Sequence, residues 1–98
     1  MQFNNFGQRP LGYQQVTGLS SAKALTPPAG ANFAVINPET KSVRWRDDGT
    51  NPTGSVGMLI AADGEFTYQG DLAAIKFIET AVSAVLNVSY YAAPLQLP

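Results

Sequence analysis

Through most of this chain apolar side chains recur at every second position, and that period confines them to the faces of β-strands. Phe33 and Val35 share one face of a run whose other face holds Ala34 and Ile36. Val43 and Trp45 alternate with Arg44 and Arg46, and Phe66 and Tyr68 with Glu65, Thr67 and Gln69. Ile75 and Phe77 alternate with Ala74, Lys76 and Ile78. Leu86, Val88 and Tyr90 alternate with Val85, Asn87, Ser89 and Tyr91. Turn-forming clusters separate the runs: residues 26–30, Asn37-Pro38, residues 47–52, Asp63-Gly64 and Gly70-Asp71. Short half-buried strands with such punctuation predict an all-β fold, a small antiparallel β-sandwich with jelly-roll-like connections. The expected core is Trp45 with Phe33, Val43, Phe77, Leu86 and Val88.

One stretch offers a competing reading. Residues 71–86 are rich in alanine, Asp71 could cap a helix, and Leu72, Ile75, Ile78 and Glu79 partly fit helical spacing. The β-branched, alternating runs at 75–78 and 84–88 favour two strands joined by a turn around 79–83. The ends are different in kind. Residues 1–12 are polar, hold Gly and Pro, and carry two isolated aromatics, Phe3 and Phe6. Residues 92–98 contain Pro94 and Pro98, which a central strand does not accommodate. The chain therefore divides into an N-terminal arm (1–12), a β-sandwich body (13–91) and a C-terminal tail (92–98). Phe3 and Phe6, and Leu95 and Leu97 in the tail, are expected partner-contact residues, because exposed apolar anchors mark binding segments.

With 98 residues the chain is one thin-cored domain. Six basic and seven acidic residues leave a net charge of −1, so no electrostatic footprint for nucleic acid or an anionic membrane exists. No apolar stretch approaches the ~20 residues of a spanning helix. The first residues lack a basic-then-apolar pattern, so no signal peptide is expected there. Asn87-Val88-Ser89 fits a glycosylation sequon and, without an export signal, reads as chance. Charged residues are only 13% of the chain, about half the usual share of roughly 25%. Sheet faces so poor in charge need covering, which predicts a docked subunit and self-association as a trimer or ring.

Catalytic chemistry finds no foothold. The chain has no histidine and no cysteine, which removes the commonest general base, the commonest metal ligand and the thiolate nucleophile. Ser20 and Ser21 have no His partner, and nothing marks Lys23 or Lys76 as a desolvated amine. Residues 47–51, Asp-Asp-Gly-Thr-Asn, superficially resemble a calcium loop, but the acids are adjacent and Met58 stands where a bidentate Glu belongs. A turn opened by Asp, with Gly supplying positive φ, accounts for the motif. No catalytic residue, cofactor or metal is expected.

Arg44-Trp45-Arg46 is the sharpest local feature. On a strand Trp45 points one way and both arginines the other. With Trp45 in the core, Arg44 and Arg46 form a basic stripe able to bind a carboxylate-bearing partner. With Trp45 outward, it would join tyrosines in a sugar-stacking platform. The core placement leads, because Trp is highly buried on average.

The run from Val43 to Thr53, then Gly57-Met58, residues 75–78 (Ile-Lys-Phe-Ile) and residues 86–91 (Leu-Asn-Val-Ser-Tyr-Tyr), resembles small proteins encoded in the structural gene clusters of tailed bacteriophages. The resemblance spans the body, residues 13–91. In those proteins an Arg-Trp-Arg strand leads into an Asp-Gly loop, and the last strand ends in Tyr. The resemblance implies a virion-associated β-sandwich of the capsid decoration or cement type, made in the bacterial host cytoplasm. Its implied partner is the major capsid protein or another virion subunit. A tail, neck or fibre-base adaptor and a carbohydrate-binding module are the alternatives.

Overall fold

The computed structural model describes residues 8–94 and is all-β: two four-stranded antiparallel sheets that enclose one core. The strands are β1 (Arg9–Val16), β2 (Lys23–Ala24), β3 (Phe33–Glu39), β4 (Val43–Arg46), β5 (Met58–Ile60), β6 (Phe66–Tyr68), β7 (Lys76–Glu79) and β8 (Val85–Ala92). The first sheet runs β1-β8-β3-β6 and the second β2-β7-β4-β5. Pairing is nested: β1 with β8, β2 with β7, β3 with β6, and β4 with β5. Only β4 and β5 are consecutive neighbours, so every other turn carries the chain across to the opposite sheet. The stretch 71–86 holds no helix. It divides into β7 and the start of β8, two strands as its β-branched alternation predicts, and the turn between them crosses from one sheet to the other.

Alternation decides what is buried. Leu86, Val88 and Tyr90 of β8 point inward, in register with Pro38, Ile36 and Ala34 of β3. Val43 and Phe77, neighbours through the β4–β7 pair, face them from the second sheet. Of the expected core, Val43, Phe77, Leu86 and Val88 are fully buried. The Tyr90 hydroxyl donates to Gln14 Oε1 at 2.6 Å, which satisfies a polar atom that burial would otherwise strand.

Phe33 departs from expectation. It lies on the outward face of β3, half-buried, with its ring edge-to-face against Tyr91 at 6.1 Å. The inward phase of β3 belongs to the small Ala34, which sits opposite the large Tyr90 and leaves room for it. Period two fixes which residues share a face, but cross-strand volume decides which face is inside.

The arm and tail boundaries also shift. β1 begins at Arg9, so residues 9–12 belong to the body, and β8 extends to Ala92. Pro10 is accommodated because β1 is an edge strand with a bulge between Pro10 and Gly12. Phe3, Phe6, Leu95 and Leu97 lie outside the described residues. Thr40 and Ser83, both at positive φ, are joined where Thr40 Oγ1 donates to the Ser83 carbonyl at 2.6 Å. That bond ties the β3–β4 turn to the β7–β8 turn.

Phe77→Ala should destabilise the domain by about 3–5 kcal/mol, and Phe33→Ala by no more than about 2 kcal/mol. Urea unfolding of the two variants, followed by tyrosine and tryptophan fluorescence, measures the difference.

Candidate functional site

A concavity lies where β4 ends and the long β4–β5 loop, residues 47–57, begins. β4 places Val43 in the core, and two residues later Trp45 takes the same inward side at the open edge of the sandwich. Trp45 is therefore half-buried: it packs on the core and also lines the groove. Its ring lies 5.1 Å from Phe66 and 5.9 Å from Tyr68, and these two rings are 6.0 Å apart. Because β6 edges the first sheet while β4 belongs to the second, the three rings close the gap between the sheets. Aromatic pairs at such distances add about 0.5–1.5 kcal/mol beyond their burial.

The loop is held by the strand that launches it. Arg44 Nε donates to the Gly54 carbonyl at 3.2 Å and Nη1 to the Gly57 carbonyl at 2.9 Å. Arg46 forks onto Asp48, Nε to Oδ1 at 3.0 Å and Nη2 to Oδ2 at 2.6 Å. Those bonds from Arg46 hold the Asp48 carboxyl below its ordinary value. The Thr50 amide also donates to Asp48 Oδ1, and Gly49 follows Asp48 with φ 89°, the turn geometry expected of Asp-Gly. Lys76 Nζ donates to Asn51 Oδ1 at 3.3 Å. At the far end Gly57 has φ 141°, and a Cβ there would stand 3.1 Å from the Trp45 carbonyl oxygen and 3.2 Å from Pro52 Cβ. Only glycine lets the loop return this close to β4.

These bonds correct the expected role of the arginines. Arg44 and Arg46 do not form an open basic stripe; both guanidinium groups are engaged by their own loop. The reason is local: an eleven-residue connection leaves unpaired carbonyls and a carboxylate within reach of long side chains on β4. Among the described residues no three His, Cys, Asp or Glu side chains cluster as a metal site would require.

What remains open is a groove of about 470 Å³. Trp45, Val56 and Met58 give it apolar walls, and Asp47 and the Arg46–Asp48 pair stand on its rim. Val56 and Met58 are 52% and 60% exposed, and Leu59, on the opposite side of β5, is 57% exposed. β5 is an edge strand, so its backbone is open on one side as well. Trp45 takes the inward placement of the two expected, but it is only half-buried and so lines the groove as well. Val56, Met58 and Leu59 are not among the residues expected from the sequence; the unbroken apolar triplet 58–60 after Gly57 is the signal for Met58 and Leu59, and Val56 has none. Searches of protein-family models, curated proteins and solved structures find no match to this chain.

Tyr68 ties the aromatic cluster to the rim by donating to Asp47 Oδ2 at 2.6 Å. Burial first, then the Asp47 carboxylate, pushes its phenol up to about 12. A group whose folded pKa lies above its unfolded value stabilises the fold fully below the unfolded value, near 10 for tyrosine, and loses that contribution as pH rises through the folded value. Stability should fall between about pH 10 and pH 12, and Tyr68→Phe should lessen the fall without abolishing it, because burial raises Tyr90 too. Urea midpoints measured across that range provide the check. Trp45→Ala should cost about 2–3 kcal/mol, less than the 3–5 kcal/mol typical of a fully buried Trp. Gly57→Ala should cost about 1–3 kcal/mol through backbone strain, read by thermal unfolding.

Proposed function

We propose that the chain is a non-enzymatic structural subunit of a tailed-phage particle, one that decorates or cements the capsid by docking on major capsid subunits through the Trp45 groove. The observation that carries this reading is the pairing of an open apolar groove with a rim already bonded to itself. Val56 and Met58 are exposed large apolar groups around an aromatic wall, and a contact there removes apolar area from water. The surrounding arginines and Asp48 are hydrogen-bonded within the loop, so a partner need not satisfy them. Those bonds hold the loop in place before binding, which lowers the ordering cost of association.

The virion setting comes from the sequence resemblance around residues 43–58, which are the residues that build this groove. We read the nested strand order as jelly-roll wiring, an architecture that recurs in capsid proteins and in lectins, so the wiring is compatible with the proposal without selecting it. On an assembled shell each docked copy favours the assembled state by mass action, because the composite surface exists only there. Ring or trimer formation by the subunit itself would add avidity. The same groove would serve a neck, tail or fibre-base adaptor, and copy number separates those positions.

Quantitative mass spectrometry of purified particles is the direct test. Copies in the hundreds support lattice decoration. Six or twelve copies move the protein to the neck or tail, and absence from the particles overturns the proposal. Met58→Asp, at a residue 60% exposed, should keep the wild-type unfolding midpoint and lose retention on particles at least tenfold.

A further inference from the structure

The outward face of the first sheet carries a different chemistry from the Trp45 groove. Cross-strand register sets its side chains in rows. Tyr91 and Phe33 form one, Tyr13, Ser89, Val35 and Thr67 a second, and Gln15, Asn87 and Asn37 a third. The amide row is closed on itself: Asn87 Oδ1 accepts from Gln15 Nε2 and from the Tyr13 hydroxyl, and Asn87 Nδ2 donates to Asn37 Oδ1 and Glu39 Oε1. At the other end of the face lies a depression of about 290 Å³ lined by Gln8, Phe33, Val35, Glu65, Thr67 and Tyr91. Its polar groups stand outside the amide network.

We propose that this depression binds one neutral sugar ring of a glycan. Phe33 is half-buried and edge-to-face with Tyr91 at 6.1 Å, and with Val35 it gives the depression an apolar corner on which the C–H face of a pyranose can pack. Around that corner stand one of each group a polyhydroxyl ring needs. Thr67 supplies a hydroxyl that donates or accepts, Gln8 an amide, and Glu65 a carboxylate acceptor. Tyr91 Oη accepts weakly from Ser89 Oγ at 3.4 Å, which leaves its own proton to donate outward. The carboxylate on the rim excludes sugar acids by like-charge repulsion and admits neutral rings. Its lining shares no residue with the Trp45 groove.

The test is a titration of the ¹⁵N-labelled full chain with glucose, galactose, mannose and N-acetylglucosamine, with glucuronate as the anionic control, followed by amide chemical shifts. At least one neutral sugar should give saturable shifts at Gln8, Phe33, Glu65, Thr67 and Tyr91, with a dissociation constant on the order of 1 mM. Glucuronate should give none with the native chain. Thr67→Val, a near-isosteric change at an exposed position, should weaken binding about tenfold without moving the unfolding midpoint, and Glu65→Gln should remove the bias against glucuronate. No saturable shift from any neutral sugar up to about 50 mM overturns the proposal. So do sugar-induced shifts centred on Trp45 and Met58. Concentration-dependent shifts on this face without sugar overturn it as well, by assigning the face to a second copy.

Discussion

The inward row of β8 is the constraint on which the molecule rests. Leu86, Val88 and Tyr90 are each buried to within 1% of complete, on a strand inserted between β1 and β3. β8 supplies the hydrogen-bonding partner for both neighbours and the largest fully buried side chain, Tyr90. A slip of one residue in its register would turn Asn87, Ser89 and Tyr91 into the core and leave their polar groups without water. Burial of each large apolar side chain in that row contributes about 1.5–3 kcal/mol, so the correct register is strongly preferred.

The Trp45 groove follows from how the second sheet ends. β4 and β5 are short, and the connection between them is too long for a tight turn. Such a loop would ordinarily be mobile. Here the outward side chains of β4 reach along it, and Arg44 and Arg46 convert carbonyls and a carboxylate into fixed points. The Arg46–Asp48 pair is exposed and adds little stability by itself. Its effect is geometric: with the Arg44 bonds it fixes the course of the loop beside Trp45, where Val56 and Met58 stand exposed.

Much of the architecture was legible in the sequence because a single physical rule wrote it. Alternation identified the paired faces of β4, β6, β7 and β8, and Asp-Gly turned where expected. β1, β2 and β5 were not legible. β1 has Pro10 and Gly12 inside it, β2 is two residues long, and β5 is three apolar residues without alternation. Each is an edge strand, held by its partner and not by its own pattern. The phase of β3 was hidden because Phe33 is larger than Ala34, and only the opposing Tyr90 reveals why the smaller residue goes inside. The groove escaped for a related reason. Arg44 reads as a partner-binding charge until the carbonyls of Gly54 and Gly57, ten and thirteen residues away, come within reach, and Arg46 until the turn brings Asp48 back onto it.

The nested pairing has a consequence for biosynthesis. The strand completing the first sheet is the last of the eight to leave the ribosome, and its partners β1 and β3 are made many residues earlier. Until β8 emerges, β1 has no neighbour in its sheet, and β3 has only β6. The nascent chain therefore cannot fold strand by strand as it appears, and loop closure over nearly the whole length precedes the gain from the core. Until β8 is made the apolar faces of β1 and β3 remain uncovered, the interval in which edge pairing between neighbouring nascent chains is most dangerous. With charged residues only 13% of the sequence, electrostatic repulsion gives such chains little protection from one another in that interval.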